Sequence, residues 1–151
     1  MNLTEHFTLA ELTHSDAAVR LHLDNTPEPY VIERLRAVCI NILEPVRSHF
    51  GKPVTVNSGY RSSRVNQAVK GASTSQHVKG EAVDFEISGV ANGDIAAWCR
   101  ANLEYDQLIL EAYTPGQPSS GWVHCSWKTG GLRREALTFI PGKGYFVGLK
   151  T

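Results

Sequence analysis

Ser75-Gln76-His77-Val78-Lys79-Gly80-Glu81-Ala82-Val83-Asp84-Phe85-Glu86-Ile87 contains the change of pattern that decides the fold. From Glu81 onward the residues alternate, with Val83, Phe85 and Ile87 on one side and Ala82, Asp84 and Glu86 on the other. That period of two predicts a strand with the apolar trio turned inward and Asp84 on the opposite face. Gly80 permits a backbone turn that brings His77 back toward Asp84, a conformation that a Cβ resists. A second strand-like stretch, Trp122-Val123-His124, places Trp122, His124 and Ser126 on one face and Val123, Cys125 and Trp127 on the other. His124 and Cys125 therefore cannot both ligate one ion. His77, Asp84 and His124 together supply two imidazoles and a carboxylate, a set that suits one Zn²⁺ and leaves a coordination position open. An open position points to hydrolysis, since a structural zinc more often closes its shell with cysteines.

Working outward, Asp106–Glu111 and Trp122–Trp127 read as two strands of a long hairpin across the breaker-rich loop Thr114-Pro115-Gly116-Gln117-Pro118-Ser119-Ser120-Gly121. Pro53–Asn57 reads as another strand, followed by a turn at Ser58-Gly59-Tyr60. Val31, Leu35, Val38, Ile42, Val46 and Phe50 fall at helical spacing, so a helix is expected over Tyr30–Phe50, ended by Gly51 and kinked or stopped early at Pro45. Thr8 and Glu11 have capping-box spacing in a helical lead-in over residues 1–29. Ser62–Val69 reads as a short helix, and Asn92 or Asp94 is expected to cap another running to about Asn102. Pro141-Gly142-Lys143-Gly144 suggests a terminal turn between extended pieces. The expectation is one α+β domain over 1–151: a small antiparallel sheet carrying the zinc site, with helices packed on one side.

The chain has 151 residues, near the usual size of one domain. Fifteen basic and fifteen acidic side chains cancel, and there is no Lys/Arg run, which argues against nucleic acid or an anionic membrane surface as partner. The neutral balance suggests a compact ligand, uncharged overall or zwitterionic. Cys39, Cys99 and Cys125 form no CxxC pair and are expected to pack as small apolar residues in a reducing compartment. No stretch approaches the roughly 20 apolar residues of a membrane helix, and the opening Met1-Asn2-Leu3-Thr4-Glu5-His6 lacks the pattern of a secretory signal. Synthesis in the cytoplasm as a monomer without a membrane anchor is expected.

The SxHxxGxAxD pattern of Ser75, His77, Gly80, Ala82 and Asp84, the upstream Ser58-Gly59-Tyr60-Arg61-Ser62 and the downstream Trp122-Val123-His124 together resemble the D-Ala-D-Ala carboxypeptidase family of zinc peptidases. That family includes vancomycin-resistance dipeptidases and phage endolysins that cut L-alanyl-D-glutamate bonds in peptidoglycan. Phe7-Thr8-Leu9-Ala10-Glu11-Leu12-Thr13 and Asn25-Thr26-Pro27 also resemble the phage and prophage branch, so the likeness spans about residues 5 to 127.

The resemblance implies that His77, Asp84 and His124 bind one zinc ion, and that Arg61 binds substrate and stabilises an oxyanion. Ser75 is expected to orient an imidazole or carboxylate beside the substrate, Asn66 to add a hydrogen bond nearby, and Trp122 to form a wall of the cleft or simply to pack. Several family members carry an acidic residue three positions before the last zinc histidine, where this chain has Gly121. The general base must then come from elsewhere. A hairpin register that sets Glu111 beside Trp122 turns Glu111 onto the face of His124, which makes it the first choice, with Asp106 and Glu86 as fallbacks. The implied activity is hydrolysis of a peptidoglycan stem peptide entering an open groove, first as an L-alanyl-D-glutamate endopeptidase of endolysin type. A D-alanyl-D-alanine carboxypeptidase is second, and a zinc-stabilised wall-binding module without turnover is the reading from another class. An endolysin would collect in the cytoplasm of a phage or prophage host and act in the periplasm or cell wall after release.

Overall fold

In the computed structural model, which describes residues 1–151, the alternation around Asp84 becomes one strand of a six-stranded sheet. The strands are β1 (Thr55–Ser58), β2 (Ala82–Glu86), β3 (Gln107–Glu111), β4 (Trp122–Ser126), β5 (Glu135–Ile140) and β6 (Gly144–Val147), in the spatial order β1-β2-β4-β3-β5-β6. Val83, Phe85, Leu108, Leu110, Val123 and Cys125 share one face of the central strands, and all are fully buried in the main apolar cluster. Fully burying a side chain of the Val, Leu or Phe class contributes about 1.5–3 kcal/mol. This row therefore fixes the register of β2, β4 and β3, because a slip of one residue would turn every apolar side chain to the wrong side.

The α+β class and the helices on one side of the sheet are as the sequence predicts. The tail differs from a simple terminal turn: β5 and β6 extend the sheet, and β5 runs parallel to β3, with Ile109 opposite Leu137. The hairpin antiparallel to β3 is already made by β4, so the remaining edge of β3 is filled by a strand that arrives after a crossover from β4. All other pairings are antiparallel.

The expected Tyr30–Phe50 helix is present in three continuous pieces: α3 (Pro29–Val38), a π-helical turn (Cys39–Leu43) and α4 (Glu44–Phe50), with two short helices α1 (Leu9–Thr13) and α2 (Asp16–Arg20) before them. Pro45 neither stops nor breaks it. Instead the turn before it widens, so that the Glu44 N–H donates to the Cys39 carbonyl, five residues back. A wider turn gives room for the proline ring, which lacks a donor and crowds the preceding turn. Gly51 ends the helix in the left-handed conformation, with φ of 63°. The capping box at α1 forms as expected, with Thr8 and Glu11 each accepting from the other's backbone N–H.

Ser62 caps α5 (Ser63–Ala68), and α6 (Asn92–Asn102) starts without a side-chain cap. Neither Asn92 nor Asp94 takes the capping role. Asn92 is instead buried just inside the helix, where its amide donates to the Gly121 carbonyl at 2.9 Å and holds the end of the 114–121 loop. The three cysteines are free and buried, as expected. Burial pushes the Cys39 and Cys99 thiols up to about 12. No helix is long and apolar enough to cross a membrane.

Candidate active site

Opposite the apolar face, the same strands carry the chemistry. Asp84 on β2 lies directly across from His124 on β4, and His124 lies across from Ile109 on β3. His77 reaches this row from the turn before β2. Gly80 makes that turn with φ of +73°, and a Cβ there would sit 2.7 Å from the Val31 side chain, so both conformation and packing require glycine.

His77, Asp84 and His124 are all buried, and their ligand atoms lie within 4.8 Å of one another. Asp84 stands between the imidazoles: its Oδ1 is 2.9 Å from His124 Nδ1 and its Oδ2 is 3.3 Å from His77 Nε2. Burial by itself would raise the Asp84 carboxyl, but the two imidazoles reverse this and hold it well below the usual carboxylate range. A carboxylate kept ionised between two histidines, away from bulk water, is a donor set that fits one Zn²⁺. The group is placed to bind one metal ion.

The orientation of His77 comes from a contact the sequence did not reveal. Its Nδ1–H donates to the Gly59 carbonyl at 2.7 Å, which leaves Nε2 facing Asp84. Gly59 is itself pressed against α1: a Cβ there would lie 2.2 Å from the Leu12 carbonyl oxygen, which accepts the Tyr60 N–H at 2.7 Å. The lead-in helix thus backs the loop that aims a metal ligand. A glycine inside Ser58-Gly59-Tyr60 was the available signal, though not a specific one.

Around this cluster runs a groove of about 780 Å³ whose lining includes Arg61, Ser75, Glu111, Trp122, Arg133 and Tyr145. Glu111 lies opposite Trp122, the register that sets both on the face of His124. It is half-buried, and burial raises its carboxyl above the ordinary value, with Asp84 adding to the rise and His124 opposing it. Gly121, at the position where several family members carry an acid, has φ of +66°, and a Cβ there would lie 1.9 Å from the Glu111 carbonyl oxygen. No side chain fits at 121, so any carboxylate on this side of the groove must come from another strand.

The fallback bases are engaged elsewhere. Asp106 is fully buried and accepts from Arg133 and Gln76; burial opposes the effect, but Arg133 holds the carboxyl down at about 2. Glu86 accepts from Asn57 and Asn92 and lines a different cavity.

Arg61 lines the groove and remains half-buried, with its Nε buried and without a hydrogen-bond partner in the protein. Burial lowers its pKa while the charge of Asp84 opposes that; the guanidinium stays protonated. Ser75 departs from expectation. Its Oγ accepts from the His77 backbone N–H at 3.2 Å and from Arg61 Nη2 at 3.4 Å, so it fixes the loop and the arginine rather than an imidazole or carboxylate. Asn66 does not line the groove: its amide donates to the Ala72 carbonyl at 2.9 Å, and it packs so closely on Gly71 that a Cβ there would lie 2.1 Å from its Oδ1. It shapes the 70–75 loop from behind. Among the groove residues that sequence reasoning missed, Arg133, Phe139 and Tyr145 come from the tail, where no motif marks them.

No curated protein matches the chain. The family model described as Peptidase M15 matches residues 5–126, which include the three side chains placed to bind a metal ion, and Arg61, Glu111 and Trp122. With that match on the same residues that build the metal group and its groove, this chain belongs to the Peptidase M15 family of zinc-dependent metallopeptidases that act on peptidoglycan.

Proposed function

We propose that the chain hydrolyses the L-alanyl-D-glutamate bond of peptidoglycan stem peptides. The observation that carries the reading is the buried His77–Asp84–His124 group on the floor of an open groove, with Glu111 and Trp122 paired on the adjoining strands. When bound there, zinc supplies Lewis acidity to the reacting centre. Glu111 takes a proton from the attacking water as its oxygen adds to the scissile carbonyl carbon, then passes that proton to the amine as the C–N bond breaks. Burial raises its carboxyl above the ordinary glutamate value, which favours a group that must return the proton it accepts. Arg61, whose guanidinium lines the groove and is held by Ser75, binds the oxygen on which negative charge develops. Gly59 and Ser75 hold His77 and Arg61 for these roles. The substrate lies in the periplasm or cell wall, so on this reading the enzyme works there after release from the cytoplasm in which it is made.

A D-alanyl-D-alanine carboxypeptidase is the second reading, favoured by the same Arg61, since a fixed guanidinium also suits a terminal peptide carboxylate. Mass spectrometry of muropeptides before and after treatment with the zinc-loaded protein decides between them, because fragment masses identify the broken bond. Loss of a single terminal alanine would overturn the endopeptidase assignment. Wall binding with no new amino groups would reduce the protein to a binding module.

A further inference from the structure

Arg133 lies in the crossover between β4 and β5, beyond the residues that the family model matches. Its backbone N–H donates to Asp106 Oδ1 at 2.8 Å, its Nε is 3.1 Å from Oδ2, and its Nη2 is 2.8 Å from Oδ2. Asp106 is only 1% exposed while the Arg133 side chain is 53% exposed. A buried carboxylate thus grips the Nε–Nη2 edge of a guanidinium that lines the groove. Gln76, between Ser75 and His77, donates to the same Asp106 oxygen at 3.0 Å, which ties the clamp to the metal-binding loop. Asp106 uses Nε and Nη2, leaving Nη1 for a partner outside the protein.

Arg133 lines the groove as well as fastening the loop to Asp106. Arg61 and Lys70 are the other cations of the groove wall, with Glu111 and Asp84 as its carboxylates, while Asp106 neutralises Arg133 from behind. Asp106, just before β3, is three residues from Ile109, which pairs with His124; at strand spacing that is roughly 10 Å. A carboxylate on the residue next to the scissile bond can span that distance toward the reach of Arg133.

We propose that Arg133, clamped by Asp106, binds a free carboxylate of the peptide substrate and makes the enzyme selective for the acid over its amide. The proposal rests on the peptidase reading and adds a substrate class to it. A glutamyl residue uses one carboxyl in the chain and leaves the other free, which suits the L-alanyl-D-glutamate assignment. A guanidinium–carboxylate contact is charge-assisted and directional, whereas a neutral amide gives up the charge and one acceptor.

The test uses the full zinc-loaded chain and three synthetic peptides containing the L-alanyl-D-glutamyl bond: the free acid, the amide of the spare glutamyl carboxyl, and the amide of the C-terminus. The wild type is expected to favour the free acid by about tenfold or more in kcat/KM, carried by KM, the scale of one hydrogen bond to a charged group. Arg133→Gln is expected to bring the acid-to-amide ratio close to one, and Arg133→Lys to leave an intermediate ratio. A ratio between peptides does not depend on how much enzyme is folded, and R133K preserves a charge beside Asp106 should R133Q fail to fold. Calorimetry of the free-acid peptide with zinc-free wild type and R133Q gives a readout independent of turnover, with weaker binding expected in the variant. Discrimination against the glutamyl amide assigns the carboxylate to that residue, and discrimination against the C-terminal amide assigns it to the chain end. Equal cleavage of all three peptides by the wild type, or discrimination that survives in both variants, overturns the role of Arg133. Failure of the wild type to cut any peptide or any muropeptide overturns the peptidase reading, and this proposal with it.

Discussion

The two faces of the β2–β4–β3 core are built from the same three strands and differ in every second residue. One face is Val83, Phe85, Val123, Cys125, Leu108 and Leu110, all inaccessible to solvent and apolar. The other carries Asp84, His124, Ile109, Glu111 and Trp122 along one groove. Neighbours such as Leu110 and Glu111 are therefore separated in consequence although joined by a peptide bond. A substitution on the first face acts on folding, and one on the second acts on metal or catalysis while the fold persists. The contrast teaches that the apolar face sets the register, and the register places the carboxylates.

The strongest way to break this contrast is at Asp84. Asp84→Ala is expected to empty the metal site and reduce peptide hydrolysis by more than the ~100-fold seen when an outer partner of a metal ligand is lost. Metal analysis and circular dichroism check it; a folded variant that keeps zinc and activity would detach the groove face from catalysis. On the opposite face, Leu110→Ala is expected to destabilise by about 2–5 kcal/mol through lost burial and a residual cavity. Denaturant unfolding measures it, and the fraction that remains folded should still bind zinc.

Glu111→Gln sharpens the comparison from the other side of the same peptide bond. It should retain zinc and lower kcat by at least roughly 100-fold, the scale of a lost acid/base group. The sign for stability is opposite to that of Leu110. Because burial raises the folded-state pKa of Glu111, its favourable contribution is present below the unfolded value and is lost as pH rises through the folded value. E111Q should therefore melt no lower than the wild type near pH 7 when both are free of metal. Full activity in E111Q would reassign the base. Adding an acid at Gly121 in that variant is expected not to restore turnover, because the positive φ and the Glu111 carbonyl leave no room for it.

The smallest effect is expected at Asp106, buried just before β3. Arg133 holds its carboxyl at about 2, so its stabilising contribution is present above the unfolded value near 4 and is lost as pH falls toward 2. Asp106→Asn should flatten the acid limb of thermal stability over that window. An unchanged acid limb would show that the pair contributes nothing to folding.

The route from residues to site was legible wherever local pattern carried it. His77, Asp84 and His124 are marked by spacing and by a period of two, and Glu111 could be placed because a hairpin register assigns its face once Trp122 is its partner. Asn66 and Ser75 make other contacts than their places in the sequence suggest, because nearness to a motif does not say whether a polar side chain turns toward a metal ligand's side chain or toward the backbone of its own loop. The neutral overall charge was equally uninformative, since a groove samples only a few of the thirty charged side chains.

By itself the sequence determined the alternation of β2 and β4, the long helical stretch before them, and the two imidazoles and carboxylate that suit zinc, because these depend on residues a few positions apart. Tertiary structure alone decided the parallel addition of β5 to β3, the Gly59 carbonyl that aims His77, and the clamp of Asp106 on Arg133. Each of those joins residues 18 or more positions apart. Such contacts form only when the whole core packs, so no local period or spacing encodes them.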